Sequence, residues 1–119
     1  KTPVFFLEKK DKEIANKIRS EIPHSLFPEH ESNFSSPALV TALASRLEKA
    51  ISIDNGVMHM IGLTNVPLIV LFGPTDSKKF SPPYKETIVL DSKKIHNSTD
   101  ISSISVQDVL KAVEQRLNF

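Results

Sequence analysis

Ala50-Ile51-Ser52-Ile53-Asp54-Asn55-Gly56-Val57-Met58-His59-Met60, followed by Val66-Pro67-Leu68-Ile69-Val70-Leu71-Phe72-Gly73-Pro74-Thr75-Asp76, decides the fold. Ala50 to Ile53 is an apolar strand pattern, Asp54-Asn55-Gly56 is a tight polar turn, and Val57 to Leu63 reads as a short helix ending near Thr64-Asn65. Pro67 to Phe72 is the strongest strand pattern in the chain, closed by Gly73-Pro74-Thr75. Strand, turn, helix and strand in so few residues predict a parallel pair joined by a helical crossover.

Outward from this segment the same alternation continues. Val4 to Leu7 is a short continuous apolar run that predicts a strand interior to a sheet. Asp11 is placed to cap a helix in which Ile14, Ile18 and Ile22 recur every four positions until Pro23 stops it. Pro23 to Ser36 reads as a loop with a short strand near Leu26-Phe27. Ser36 and Pro37 then suit an N-cap and a first helical position, with Leu39, Leu43 and Leu47 on one helix face.

Beyond the central segment, Asp76 to Lys85 reads as a surface loop with at most one helical turn, Thr87 to Leu90 as a strand, and Asp91 to Ser103 as polar chain. Ser105 and Asp108 form a capping-box-like start for a last helix, whose Val106, Val109, Leu110, Val113 and Leu117 make an amphipathic stripe. The expected fold is α/β, a Rossmann-like parallel sheet with helices on both faces, as a single domain over residues 1–119. Such sheets bind ligands beyond the carboxyl ends of their strands, so the turns after Leu7, Ile53 and Phe72 and the loop before Ser36 are the places for chemistry.

Composition removes several function classes. Fifteen basic residues against fourteen acidic ones leave a net charge of +1, unlike the dense positive surface of a nucleic-acid binder. No cysteine is present, which excludes a disulfide framework, a thiolate zinc site and a cysteine nucleophile, and is compatible with a reducing cytosol. His24, His30 and His96 lack ligand-like spacing, so no metal is expected. The apolar run Val66 to Phe72 contains Pro67 and falls far short of the roughly 20 residues that span a bilayer. Lys1-Thr2-Pro3 runs directly into the first strand pattern without a signal peptide, which reads as the start of a fragment. The pairs Lys78-Lys79 and Lys93-Lys94 read as solvated surface charge.

The turn at Gly56 has a chemical reading as well as a structural one. The first turn of a helix leaves backbone N–H groups unpaired, and these together with the helix dipole attract an anion such as a phosphate. Gly56 permits close approach of the backbone, and Asn55 tolerates unusual dihedrals. A strand followed by Asp-Asn-Gly is also an ordinary way to turn a corner. The G-x-G-x-x-G and Walker A patterns are absent, which disfavours a dinucleotide-binding dehydrogenase or a P-loop NTPase.

The two quoted runs together resemble the C-terminal domain of glycosyltransferase family 9, the lipopolysaccharide heptosyltransferase-like enzymes. The family carries Asp-Ser/Thr-Gly, a histidine three residues later, and a Val-Pro strand ending in Phe-Gly-Pro-Thr. The resemblance is sharp from Ala50 to Asp76 and looser elsewhere. It implies the C-terminal half of a GT-B glycosyltransferase, with the N-terminal acceptor domain absent from this sequence.

The resemblance further implies a nucleotide-sugar site. Asn55, Gly56 and Val57 would offer N–H groups to the diphosphate, and Asp54 would contact the donor sugar or cap the helix. His59 would steady a phosphate oxygen or the departing ADP, its alternative being a histidine packed under the turn. Asp11 matches the family's acidic residue for the ribose hydroxyls, the alternative being a plain N-cap. Phe34 and Ser35 fall where the family lines its adenine pocket, and Thr75 and Asp76 face the same cleft.

The donor implied is ADP-heptose, the acceptor a lipopolysaccharide core or other glycan bound through the other domain, and the reaction independent of metal and cofactor. No catalytic residue is expected here, because the family's base belongs to the other domain and its phosphate-gripping lysine and hydroxyl would precede Lys1. The expected setting is cytoplasmic, at the cytoplasmic face of a bacterial inner membrane, with peripheral rather than transmembrane association. Asn55 in place of serine or threonine, Met60-Ile61-Gly62 in place of small residues, and Leu7-Glu8-Lys9 in place of a glycine turn depart from the pattern and bear on the identity of the sugar. The competing readings are a noncatalytic α/β binding module on the same scaffold and a flavodoxin-like signalling domain, for which no carboxylate cluster or flavin loop is visible.

Overall fold

The computed structural model describes residues 1–31, 36–80 and 87–115, and divides into two compact units, Lys1–Val40 and Thr41–Phe119. In the first unit, Val4 and Leu26 form a parallel bridge, with Phe5 N–H donating to Leu26 O at 2.9 Å and Leu26 N–H to Pro3 O at 3.0 Å. The strand expected over Val4 to Leu7 is reduced to this one bridge among the described residues. Pro23 and Pro28 bracket its partner segment, and Pro28 already opens a helix, so the ladder has no room to lengthen.

The unit is completed by α1 (Lys12–Glu21) and α2 (Pro28–Glu31). Its interior is aromatic. Phe27 is fully buried, stacks on Phe5 with centroids 5.4 Å apart, meets the edge of His30 at 6.0 Å and carries the Arg19 guanidinium 4.6 Å above its ring. Such pairs add about 1 kcal/mol each beyond simple burial. His30 Nε2 also lies 2.9 Å from Glu8 O, which ties α2 to the turn ahead of α1.

The boundary between the units falls inside α3 (Pro37–Ala44), whose start is capped as expected, Leu39 N–H donating to Ser36 Oγ at 3.2 Å. The second unit holds a three-stranded parallel sheet in sequential order, β1 (Ala50–Ile53), β2 (Leu68–Phe72) and β3 (Thr87–Asp91). Between them lie α4 (Gly56–Gly62) and α5 (Ser77–Phe80). After β3 come α6 (Ser92–Ile95), a 3-10 turn at Ile101–Ser103 and α7 (Val106–Gln115). This is the expected Rossmann-like α/β arrangement.

Register decides which face is core. Ala50 pairs with Leu68 and Ser52 with Val70, so one sheet face presents Ala50, Leu68, Val70 and Phe72 to Met58 and Ile61 of α4 and to Ala44. Leu47, Val57 and Val66 close this cluster at its margin. Burying Met58, Leu68 and Phe72 contributes about 2 kcal/mol each, which makes this cluster the anchor of the β1–α4–β2 unit. In α7 the expected stripe is only partly used. Val109 and Val113 are half-buried, Val106 and Leu110 remain exposed, Leu117 lies outside the described residues, and the buried residue is Ala112, beside the stripe.

Candidate nucleotide-sugar site at the carboxyl ends of the strands

Because all three strands run the same way, their carboxyl ends share one rim of the sheet, and the polar residues of this unit converge there. After β1 the chain leaves Asp54 half-buried, with its N–H still bonded to Leu71 O at 3.2 Å as the last rung of the ladder. Thr75, in the turn after β2, donates its hydroxyl to Asp54 Oδ2. The two turns are thereby linked side chain to side chain.

Asn55, and not Asp54, caps α4. Its backbone is extended at φ −155° and ψ −176°, and Oδ1 accepts the Met58 N–H at 3.2 Å. The capping preference of asparagine accounts for its presence, and no unusual dihedral is required of it. The cap consumes one amide of the first turn. Among the described residues the N–H groups of Gly56 and Val57 have no partner, while the Val57 side chain packs on the core cluster. A Cβ built on Gly56 would meet nothing within 4 Å, so the space outside this turn is open. His59 is exposed and its ring makes no hydrogen bond among the described residues, unlike a histidine packed beneath the turn.

Gly73 has a different task. A Cβ there would lie 2.9 Å from Ile101 Cβ and 3.1 Å from both Ile101 N and Thr99 O, so its hydrogen is what lets the 99–101 segment cross the end of β2. Asp76 is exposed and accepts Lys78 N–H at 2.9 Å, starting the short α5.

The end of β3 supplies residues that the sequence reading passed over. Asp91 is 3% exposed, caps α6 by accepting Lys93 N–H at 3.0 Å, and receives the Ser77 hydroxyl at 2.7 Å. Lys93 Nζ lies 3.0 Å from Asp91 Oδ1 and donates to the carbonyls of Gly73 and Thr75, the latter at 2.6 Å. Burial alone would push the Asp91 carboxyl up. The Ser77 and Lys93 hydrogen bonds and the Lys93 charge outweigh it and hold the group below the ordinary carboxylate value. Lys93 is therefore not the solvated surface charge expected of it. The signal was available: the rule that directs attention to strand ends applies to Asp91 as it does to Asp54 and Thr75.

Asp11 belongs to the first unit. It occupies the N-cap position of α1 without a side-chain cap, and its carboxylate has no partner among the described residues. Phe34 and Ser35 lie outside the described residues. Among the described residues no group of three or more His, Cys, Asp or Glu side chains is arranged to hold a metal ion.

The family model for glycosyltransferase family 9 (heptosyltransferase) matches residues 4–110. The chain belongs to glycosyltransferase family 9. A solved structure of a family 9 glycosyl transferase from Veillonella parvula DSM 2008 is similar in fold, with a TM-score of 0.75 and 24% identity over 94% of this chain. That match spans 35% of the other chain, so this family 9 sequence covers about a third of that protein's length. No curated protein matches it. Both the Asp54-Asn55-Gly56 turn and the Thr75 turn fall within the matched residues.

Proposed function

We propose that this chain is the donor-binding part of a glycosyltransferase, the C-terminal half of a GT-B enzyme, and that its donor is a nucleotide-activated sugar, ADP-heptose foremost. The observation that carries this reading is the open turn after β1, where among the described residues the Gly56 and Val57 N–H groups have no partner and nothing would meet a Cβ at Gly56. A diphosphate placed there would accept both N–H groups, with Asn55 holding the turn through its cap and His59 within the same short helix to steady a phosphate oxygen or the departing ADP. Asp54, oriented by Thr75, would take sugar hydroxyls, for which a carboxylate has two acceptor oxygens.

Asp76 closes the rim beyond Thr75. Asp11, whose carboxylate has no partner among the described residues, is proposed for the ribose hydroxyls, and Phe34 and Ser35 for the base. A further domain would supply the general base and bind the acceptor, a lipopolysaccharide core or other glycan, so the chain alone would bind donor without turning it over. No helix among the described residues is long and apolar enough to cross a membrane, and the proposed setting is the cytoplasmic face of a bacterial inner membrane.

Titration of the chain with ADP and with ADP-heptose, followed by amide chemical shifts, tests the reading. Shifts centred on residues 54–59 and 75–76 are expected. An unperturbed spectrum at millimolar ligand would overturn it in favour of a noncatalytic module, a reading that draws on the amide already consumed by the Asn55 cap.

A further inference from the structure

The Lys93 side chain is held at its far end by several groups at once. An ammonium has three N–H donors, and here three acceptors converge on it: Gly73 O, Thr75 O at 2.6 Å and Asp91 Oδ1 at 3.0 Å. With every donor engaged, the charge has no proton to offer a phosphate. Asp91 is held in turn by Ser77 at 2.7 Å and by the Lys93 N–H at 3.0 Å, so the anchor of the ammonium is buried and multiply bonded. The two carbonyls that Lys93 grips belong to the residues on either side of Pro74, and the second is the backbone of the threonine whose hydroxyl meets Asp54.

We propose that Lys93 is a positioning residue: by clamping the Gly73 and Thr75 carbonyls from the end of β3, it fixes the Thr75 hydroxyl on Asp54 and so sets the direction in which the Asp54 carboxylate faces the donor sugar. Three strand ends are connected in this way, Asp91 to Lys93 to Thr75 to Asp54, across the whole width of the sheet. The functional consequence rests on the donor-site reading; the clamp itself does not. A loose Thr75 would leave Asp54 free to rotate, and a sugar hydroxyl would then meet a carboxylate that must be ordered on binding. The diphosphate contacts proposed at Gly56 lie outside this chain of bonds. Lys93 is therefore expected to govern discrimination between a nucleotide sugar and the bare nucleotide, more than affinity for the nucleotide.

The test uses the chain with Lys93→Met and Asp91→Asn combined, since Lys93→Met alone would strand a buried carboxylate. Asp91→Asn alone, which keeps an acceptor for the ammonium, is the control. Three-bond couplings report the Thr75 χ1 angle, and calorimetry reports the affinity for ADP-heptose relative to ADP. A single Thr75 rotamer in the parent and the control, rotamer averaging in the double variant, and a preference for the sugar nucleotide reduced about tenfold, the scale of one lost charged hydrogen bond, are the expected results. An unchanged Thr75 rotamer in the double variant overturns the proposal whatever the ligands do. Thr75 loosening in a chain whose parent binds neither ligand upholds the clamp and removes the donor-site reading instead. Should the double variant unfold, couplings across the hydrogen bonds from Lys93 Nζ to the Gly73 and Thr75 carbonyl carbons in the parent decide the matter: their absence, with a freely rotating ammonium, overturns the clamp.

Discussion

Ser77 Oγ donates to Asp91 Oδ2 at 2.7 Å, joining the first residue of α5 to the last residue of β3. The bond is one of several that keep a buried carboxylate ionised, and its removal has calculable consequences. Asp91→Ala would leave the Ser77 hydroxyl and the Lys93 ammonium without their shared acceptor, at a cost of about 2–3 kcal/mol. Urea unfolding at pH 7 measures it.

The same carboxylate predicts a direction with pH. Its folded value lies below the ordinary one, so its contribution is complete above the unfolded value of about 4 and is lost as pH falls through the folded value. Stability of the parent should therefore decline on acidification below about pH 4, and Asp91→Asn should show a shallower decline in the same titration.

A second acid-sensitive bond ties α6 to α7. His96 Nε2 lies 2.7 Å from Asp108 Oδ2, and Asp108 and Ser105 also cap reciprocally, Ser105 N–H to Asp108 Oδ2 at 2.9 Å and Asp108 N–H to Ser105 Oγ at 3.1 Å. The His96 bond first, then the Ser105 amide, hold the Asp108 carboxyl down at about 2. Its stabilising effect is present above the unfolded value and disappears as pH falls toward about 2. His96→Ala should raise the Asp108 titration midpoint, read by carboxyl carbon shifts, and leave the Ser105 cap in place.

The two glycines of the rim should respond oppositely to alanine. Gly73→Ala drives a methyl to within 2.9 Å of Ile101 Cβ and 3.1 Å of the Thr99 carbonyl and should cost about 1–3 kcal/mol. Gly56→Ala meets nothing within 4 Å and should leave stability within about 0.5 kcal/mol. If a diphosphate occupies the turn, the Gly56 methyl would intrude on it, so nucleotide affinity should fall while the unfolding midpoint stays.

Asn55→Ala should cost about 1 kcal/mol by releasing the Met58 amide, and Asn55→Ser should recover most of it. Unfolding of the two variants side by side checks the cap, and a serine that restores stability shows that the family's usual hydroxyl can serve the same bond.

What could be read in advance followed local chemistry. Ala50 to Ile53 and Leu68 to Phe72 are strands because their apolar runs end at residues that cannot continue them, and Ser36-Pro37 and Ser105-Asp108 announce helices through short-range caps. Val4 to Leu7 carries an equally good pattern yet forms one bridge, because a strand also needs a partner of matching length, and proline punctuation shortens Leu26's segment. Asp54, Asn55 and Gly56 stood out as a turn within a known pattern. Asp91 and Lys93 did not, since their meaning lies in Ser77, Gly73 and Thr75, up to 20 residues away, and polar residues after a strand look alike whether they meet water or one another. Which residue of Asp54-Asn55 would cap α4 was likewise settled only by geometry.

The sequential order of β1, β2 and β3 separates two kinds of inheritance in this unit. Frame positions sit inside the strands, where register and burial leave little freedom, whereas rim positions follow each strand at 54–56, 73–77 and 91–93. Selection can therefore alter what the rim holds without renegotiating how the sheet is assembled. Side-chain bonds nonetheless tie these short cassettes to one another: Lys93 and the Ser77–Asp91 bond join the third to the second, and the Thr75–Asp54 bond joins the second to the first. All three cassettes are therefore expected to vary together at these linked positions.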